Sequence, residues 1–150
     1  MGRRAVFLVD GEHHPPVTRA AIEALAEAGT EPVAILVAGG GEKLADPERA
    51  PDLGAPTTVP SWAEAALPEV LERHDPDVVI DLSGEPVVPP TRRHALAAIA
   101  LAAGVPYETP GWRVRPPDMP PVTARSTVAV LATGKRTGKT AMSGAFARHA

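Results

Sequence analysis

The sequence predicts an α/β fold with a parallel sheet. Continuous apolar runs of strand length, RRAVFLVDG near the start and PVAILVAGGG further on, are typical of strands buried on both faces. Segments with helical periodicity alternate with these runs, which indicates parallel strands joined by right-handed crossovers. The 150 residues are 44% hydrophobic but only 3% aromatic, which is enough for one compact core built mainly from Ala, Val and Leu.

Each further element has its own local signal. The first helix, PPVTRAAIEALAEAG, opens with prolines and closes at Gly29. Ser61 and Glu64 have the spacing of a capping box for a second helix. The run PDVVIDLSG predicts a third strand, PTRRHALAAIALAAG a third helix and VPYET a short fourth strand. We therefore expect a Rossmann-like α/β domain over residues 1–108.

A change of composition follows this domain. Residues 109–125 contain five prolines, which predicts an extended and fairly stiff linker, the alternative being a surface loop within a single domain. The next run, STVAVLATG, predicts another buried strand, so we place the start of a second domain at residues 126–150.

Charge and cysteine content exclude several classes of partner. The net charge is −3, so the molecule has no basic field that would attract nucleic acid or an anionic membrane. There are no cysteines, which excludes a disulfide framework and a cysteine nucleophile and favours a reducing, cytoplasmic location. No stretch is long and apolar enough to predict a transmembrane helix.

A phosphate-binding loop is predicted after the last apolar run. The sequence Gly138-Lys139-Thr140 follows a predicted strand and opens a predicted helix, as in the P-loop of nucleotide-binding domains. Thr133 stands where the first glycine of that pattern is usual, and the nearest glycine is one position later. We expect the loop to bind nucleotide phosphates through the following residues: Gly134, Lys135, Arg136, Thr137, Gly138, Lys139 and Thr140. Thr140 is the predicted magnesium ligand.

Polar clusters follow the first and third predicted strands. Because ligands of parallel sheets bind beyond the carboxyl ends of the strands, we expect these clusters to share one crevice. The first contains Asp10, Glu12 and His13. The second contains Asp81, Ser83 and Glu85, with Arg92 and Arg93 in the helix that follows. Each group has a plainer alternative role, since an aspartate can simply cap a turn and an arginine can lie on a solvated helix face.

Three stretches together resemble the cyclic 2,3-diphosphoglycerate synthetase family: FLVDGEHHPPV at residues 7–17, DVVIDLSGEPVV at 77–88 and TGKRTGKTAMSG at 133–144. The resemblance implies an ATP- and Mg²⁺-dependent closure of 2,3-diphosphoglycerate into a cyclic pyrophosphate, with release of ADP and phosphate. Family members are longer, so we expect an amino-terminal fragment that ends inside a P-loop NTPase-like domain and is inactive alone.

The resemblance also implies roles for single residues. The predicted catalytic residues are Lys139, Lys135, Arg136, Asp10 and Asp81. The predicted residues for the anionic substrate are Glu12, His13, Glu85, Arg92 and Arg93. Two alternatives stay open: another P-loop ATP-dependent ligase or kinase, and a non-catalytic module that binds a small anion or mediates dimerisation. A homodimer is compatible with each of these.

Overall fold

The computed structural model describes residues 2–44, 50–118, 120 and 124–149. The chain divides into two compact units, Met1–Pro117 and Asp118–Ala150, and each is described by itself.

The first unit is built on one sheet, and its α/β class is as predicted. The strands of the described residues are β1 (Arg3–Asp10), β2 (Thr30–Gly39), β3 (Thr57–Thr58), β4 (Val78–Asp81), β5 (Tyr107–Glu108) and β6 (Arg113–Val114). They lie in the order β3-β2-β1-β4-β5-β6, and every neighbouring pair is parallel except the antiparallel pair β5–β6. This is the strand order of the Rossmann architecture, which reverses between β1 and β4.

Three helices connect the parallel strands: α1 (Pro15–Glu27), α2 (Ala63–His74) and α3 (Pro90–Ala102). Two prolines open α1, as predicted, and Gly29 follows its end with a φ of 93°. Because that left-handed backbone disfavours other side chains, the glycine ends the helix as its position in the sequence indicates. Pro68 lies inside α2 without ending it.

The core lies on both faces of the sheet, because successive side chains of the central strands alternate between the two faces. Along β1, Val6 and Leu8 join the cluster that contains buried residues of α2 and α3. Phe7 and Val9 belong to the opposite cluster, which contains Ile22 of α1. A parallel strand with both faces buried is therefore confirmed.

The predicted capping box is wrong. Helix α2 begins at Ala63, its N-cap is Trp62, and no side-chain hydrogen bond caps it. The Glu64 carboxylate instead receives two hydrogen bonds from Arg92.

The predicted linker contains part of the sheet. Strand β6 lies within residues 109–125, because the chain turns back at Gly111 and pairs Arg113 with Glu108. Residues 119 and 121–123 of the predicted linker and residues 45–49 of an expected loop lie outside the described residues.

The second unit departs from prediction at its beginning. Its described residues 124–138 form no strand, and Val128 and Leu131 are exposed. A strand needs a neighbouring strand to satisfy its backbone hydrogen bonds, and none of the described strands pairs with residues 124–138. The predicted loop and helix do follow, with α4 at Lys139–Ala147.

Candidate functional site

The crevice of the first unit lies where the strand order reverses. Strands β1 and β4 are neighbours, with Leu8 opposite Asp81 and the Leu82 amide donating to the Leu8 carbonyl at 2.8 Å. The loops that follow both strands therefore lie side by side, and the structure brings the two predicted polar clusters together.

Asp10 is the last residue of β1, and its buried side chain binds the loop that follows β1, the first loop. Its Oδ1 accepts hydrogen bonds from the Glu12 and His13 amides, each at 3.0 Å, and its Oδ2 accepts one from the Gly84 amide at 2.7 Å. The imidazole Nδ1 of His13 also lies 2.7 Å from Oδ2. Burial alone would raise the pKa of Asp10, but the hydrogen bonds from Gly84 and His13 outweigh it and lower the pKa below its ordinary value. The carboxylate is therefore held in its ionised form.

Asp81 is the last residue of β4, and its buried side chain binds the loop that follows β4, the second loop. Its Oδ1 accepts hydrogen bonds from the amide and the hydroxyl of Ser83. Its Oδ2 accepts one from the Tyr107 hydroxyl at 2.6 Å and one from Arg93 Nε at 2.9 Å. Burial raises the pKa of Tyr107, and the hydrogen bond to Asp81 adds to that effect. The phenol therefore stays a neutral donor.

Sequence reasoning missed Tyr107. It is the only tyrosine in the chain, and it lies fully buried in a strand of two residues. A lone tyrosine in a sequence so poor in aromatic residues was the available signal, because a buried phenol usually needs a polar partner.

Arg93 joins the second loop to α3. Its Nη2 donates to the Ser83 carbonyl at 2.8 Å, while Nη1 lies 3.8 Å from the Glu85 carboxylate. The Arg93 side chain is 17% exposed and that of Glu85 is 60% exposed. The guanidinium thus lies beside the second loop, with its Nε and Nη2 bound by Asp81 and Ser83.

Arg92 lies away from this cluster. It forms a two-point ion pair with Glu64, which lowers the pKa of that carboxyl through the hydrogen bonds from Arg92. Arg92 also lines a separate cavity of about 450 Å³, beside Trp62 and the backbone of residues 39–41. The two adjacent arginines therefore have different partners: Arg92 binds Glu64, and Arg93 binds residues of the second loop.

Glu12 contacts the segment that follows β2. Its carboxylate forms an ion pair with Lys43 at 2.6 Å, and both side chains are about half exposed. The hydrogen bond that Lys43 donates to Glu12 raises the pKa of Lys43. Glu12 thus lies beside a cation that sequence reasoning had not singled out.

His13 borders a small crevice beside the two loops. The crevice has a volume of about 240 Å³, and its lining includes Asp10, His13, Val17, Leu82 and Pro110. The His13 side chain is 54% exposed, whereas that of Asp10 is fully buried. Of this pair, only the imidazole is open to a ligand.

The predicted phosphate loop forms an exposed turn before α4. Arg136 and Gly138 have positive φ values of 59° and 85°, and Gly138 is the N-cap of the helix. The Thr137 hydroxyl and the Lys139 ammonium both donate to the Gly134 carbonyl, at 3.0 and 2.9 Å. A cavity of about 360 Å³ is lined by residues 136–141.

The loop residues fit a polyphosphate. The segment from Gly134 to Thr140 contains Lys135, Arg136 and Lys139 but no carboxylate, and it leads into the positive end of a helix. For magnesium the loop offers the Thr140 hydroxyl. Elsewhere in the described part of the chain, no group of three or more His, Asp or Glu side chains is arranged to hold a metal ion.

No helix among the described residues is long and apolar enough to cross a membrane.

The strand order and the crevice at its reversal define an α/β protein of Rossmann-like architecture. Residues 4–115 match the family model described as the N-terminal domain of cyclic 2,3-diphosphoglycerate synthetase. The chain therefore belongs to the cyclic 2,3-diphosphoglycerate synthetase family, as the sequence resemblance predicted.

Curated relatives extend the match beyond that domain. A cyclic 2,3-diphosphoglycerate synthetase of Rubrobacter xylanophilus is 41% identical over 146 residues, which cover 97% of this chain and 32% of the relative. The one from Methanothermus fervidus is 34% identical over 154 residues, covering 97% of this chain and 34% of the relative. The chain thus spans about a third of the length of these relatives.

A solved structure shows a weaker likeness. Glycinamide ribonucleotide transformylase 1 from Symbiobacterium toebii is 17% identical, with a TM-score of 0.39, over 71% of this chain and 50% of that chain. At this level the likeness carries no argument.

Proposed function

We propose that the chain supplies the amino-terminal part of an enzyme that uses ATP and Mg²⁺ to close 2,3-diphosphoglycerate into a cyclic pyrophosphate. The observation that carries the proposal is the turn at residues 134–140, where a lysine ammonium lies over a carboxylate-free loop at a helix N-terminus. Membership of the family supports the choice of product.

The loop residues would act on the nucleotide. When bound, ATP would supply the phosphoryl group that activates one substrate phosphate, because the added phosphate can then leave from its phosphorus, and Mg²⁺ would offset the negative charge. Lys139 would exchange the Gly134 carbonyl for the outer phosphate oxygens, because a phosphate is a stronger acceptor for an ammonium. Lys135 and Arg136 would add positive charge where negative charge accumulates, and Thr140 would hold the metal.

The crevice residues would act on the acid. Two phosphates of one small molecule repel each other, so they must be held by cations before they can join. Arg93 is the candidate for one of these cations, because it lies beside the second loop, where Asp81 and Ser83 fix its Nε and Nη2 edge. Asp10 and Asp81 accept hydrogen bonds from their own loops, and in this proposal they shape the crevice.

The decisive experiment uses the full-length protein encoded by the gene that contains this chain. We expect ³¹P NMR to show the cyclic pyrophosphate only when ATP, Mg²⁺ and 2,3-diphosphoglycerate are all present. Lys139→Ala should abolish the product without loss of stability, because the side chain is exposed. As a matched control, Arg73→Ala removes an exposed cation of α2 and should retain activity.

Other outcomes point to the alternatives. ATP hydrolysis that is indifferent to 2,3-diphosphoglycerate would indicate another P-loop ligase or kinase. No nucleotide binding by the full-length protein would indicate a non-catalytic module. The cytoplasmic location and the homodimer stay predictions.

A further inference from the structure

We propose that His13 is a catalytic residue that moves a proton at Nε2 during ring closure, and that Asp10 is the residue that positions it. This role deepens the proposed function and rests on it. It also changes the roles predicted from sequence, which made Asp10 catalytic and His13 a binding residue.

Of the two side chains, only that of His13 is accessible to a substrate. The Asp10 side chain is fully buried and accepts three backbone amide hydrogen bonds, from Glu12, His13 and Gly84. A carboxylate so enclosed cannot reach a substrate without breaking these bonds. The His13 ring beside it is 54% exposed and borders the crevice of about 240 Å³.

The position of His13 beside Asp10 determines its tautomer. An ionised carboxylate only accepts hydrogen bonds, so the nitrogen that faces it must carry a proton. Nδ1 lies 2.8 Å from Oδ1 and 2.7 Å from Oδ2 of Asp10, which assigns the proton to Nδ1. The neutral imidazole therefore has its lone pair on Nε2, and the carboxylate stabilises the ring when Nε2 takes up a proton.

Residue 84 is a glycine, which leaves room for the His13 ring. A β-carbon there would lie 3.0 Å from His13 Cε1 and 3.5 Å from Asp10 Oδ2. Gly84 has no positive φ, so the effect of a side chain at this position is the contact with the ring and not backbone strain. The amide of the same residue binds Asp10, so residue 84 helps to fix both members of the pair.

In the proposed reaction, ATP first phosphorylates one phosphate of the substrate, and the ring closes in a second step. His13 moves a proton in that second step. The phosphate that was not activated loses its proton to Nε2 while its oxygen bonds to the activated phosphorus. The bond from that phosphorus to the terminal phosphate breaks, and this phosphate leaves with the electron pair. It then receives the proton from Nε2, so His13 ends in its starting form and no other reactant is consumed.

The kinetic test uses the full-length protein. His13→Gln should lower kcat for ring closure about 100-fold or more, with KM for 2,3-diphosphoglycerate changed less than about threefold. Added imidazole should restore part of the activity of His13→Ala, which a merely structural role would not allow. His14→Gln, the neighbouring exposed histidine, should keep wild-type kinetics.

A spectroscopic test examines the pair without catalysis. In the 150-residue chain, ¹⁵N NMR of the imidazoles should show His13 with a protonated Nδ1 and an unprotonated Nε2 at alkaline pH. The opposite tautomer would overturn the proposal.

Activity results separate the two proposals. An active wild type together with a His13→Gln variant of similar kcat contradicts the role of His13 alone, as does a His13→Ala variant that imidazole does not rescue. A full-length wild type that makes no cyclic product contradicts the proposed function and the role of His13 with it.

Discussion

Arg92 and Glu64 form a two-point ion pair that joins the first turn of α3 to the first turn of α2. Arg92 Nε lies 2.7 Å from Glu64 Oε1, and Nη2 lies 2.9 Å from Oε2. Both side chains are less than a third exposed, and the planar guanidinium matches the carboxylate geometry. The pair therefore holds the two helices of one face together.

Glu64→Gln should lower the free energy of unfolding by about 1 kcal/mol, the upper end of the range for such pairs. Because the pKa of Glu64 is lowered in the folded state, its contribution is fully present above 4.5, the ordinary value, and is lost as pH falls through the lowered pKa. Urea unfolding at neutral and acidic pH measures this. Glu69→Gln, which removes the exposed pair with Arg73, should change stability less; equal losses would contradict the prediction.

Gly11→Ala should destabilise the first unit by about 2–3 kcal/mol. A β-carbon at Gly11 would lie 2.1 Å from the carbonyl oxygen of Gly40, and a backbone atom cannot move aside as a side chain can. Thermal unfolding of the chain measures the loss. Gly111→Ala is the control, because a β-carbon there meets open space and should cost less than about 0.5 kcal/mol.

Tyr107→Phe should lower the free energy of unfolding by about 1–2 kcal/mol, because Asp81 loses a buried donor. Burial raises the pKa of Tyr107, so the stability that its neutral hydroxyl contributes is present below 10.0 and lost as pH rises toward the raised value. Since the chain has one tyrosine, absorbance near 295 nm follows its ionisation directly. Phenolate in the folded chain near pH 10 would refute this account.

Gly84→Ala should reduce ring closure in the full-length protein about tenfold or more while leaving the chain folded. The added methyl group would meet the His13 ring at 3.0 Å, and the half-exposed ring can yield by turning away. Steady-state kinetics and circular dichroism together test this. Wild-type kcat in a folded variant would show that the position of the ring does not matter.

Much of the fold could be predicted because its signals are local. The apolar runs of β1 and β2 and the proline and glycine at the two ends of α1 depend on nearby residues. Strand β6 escaped prediction because its pairing with β5 depends on a turn within a proline-rich segment. Residues 126–134 have the composition of a strand, but composition cannot supply a neighbour to pair with.

The sequence predicts where the candidate site lies better than it predicts which residues contact each other there. Strand ends place Asp10 and Asp81 at one edge whatever their partners are. Their partners, such as Tyr107 and the Gly84 amide, come from distant positions in the sequence. The separation of Arg92 from Arg93 likewise depends on Glu64, which lies 28 positions earlier than Arg92.

The sheet of the first unit is bordered by β3 and β6, each only two residues long. Each of these two strands presents few unpaired amides and carbonyls, so it offers only a short template to a strand from another molecule. Fibril growth by addition to β3 or β6 is therefore disfavoured. Association of two copies through helices or loops is favoured over pairing of these two border strands.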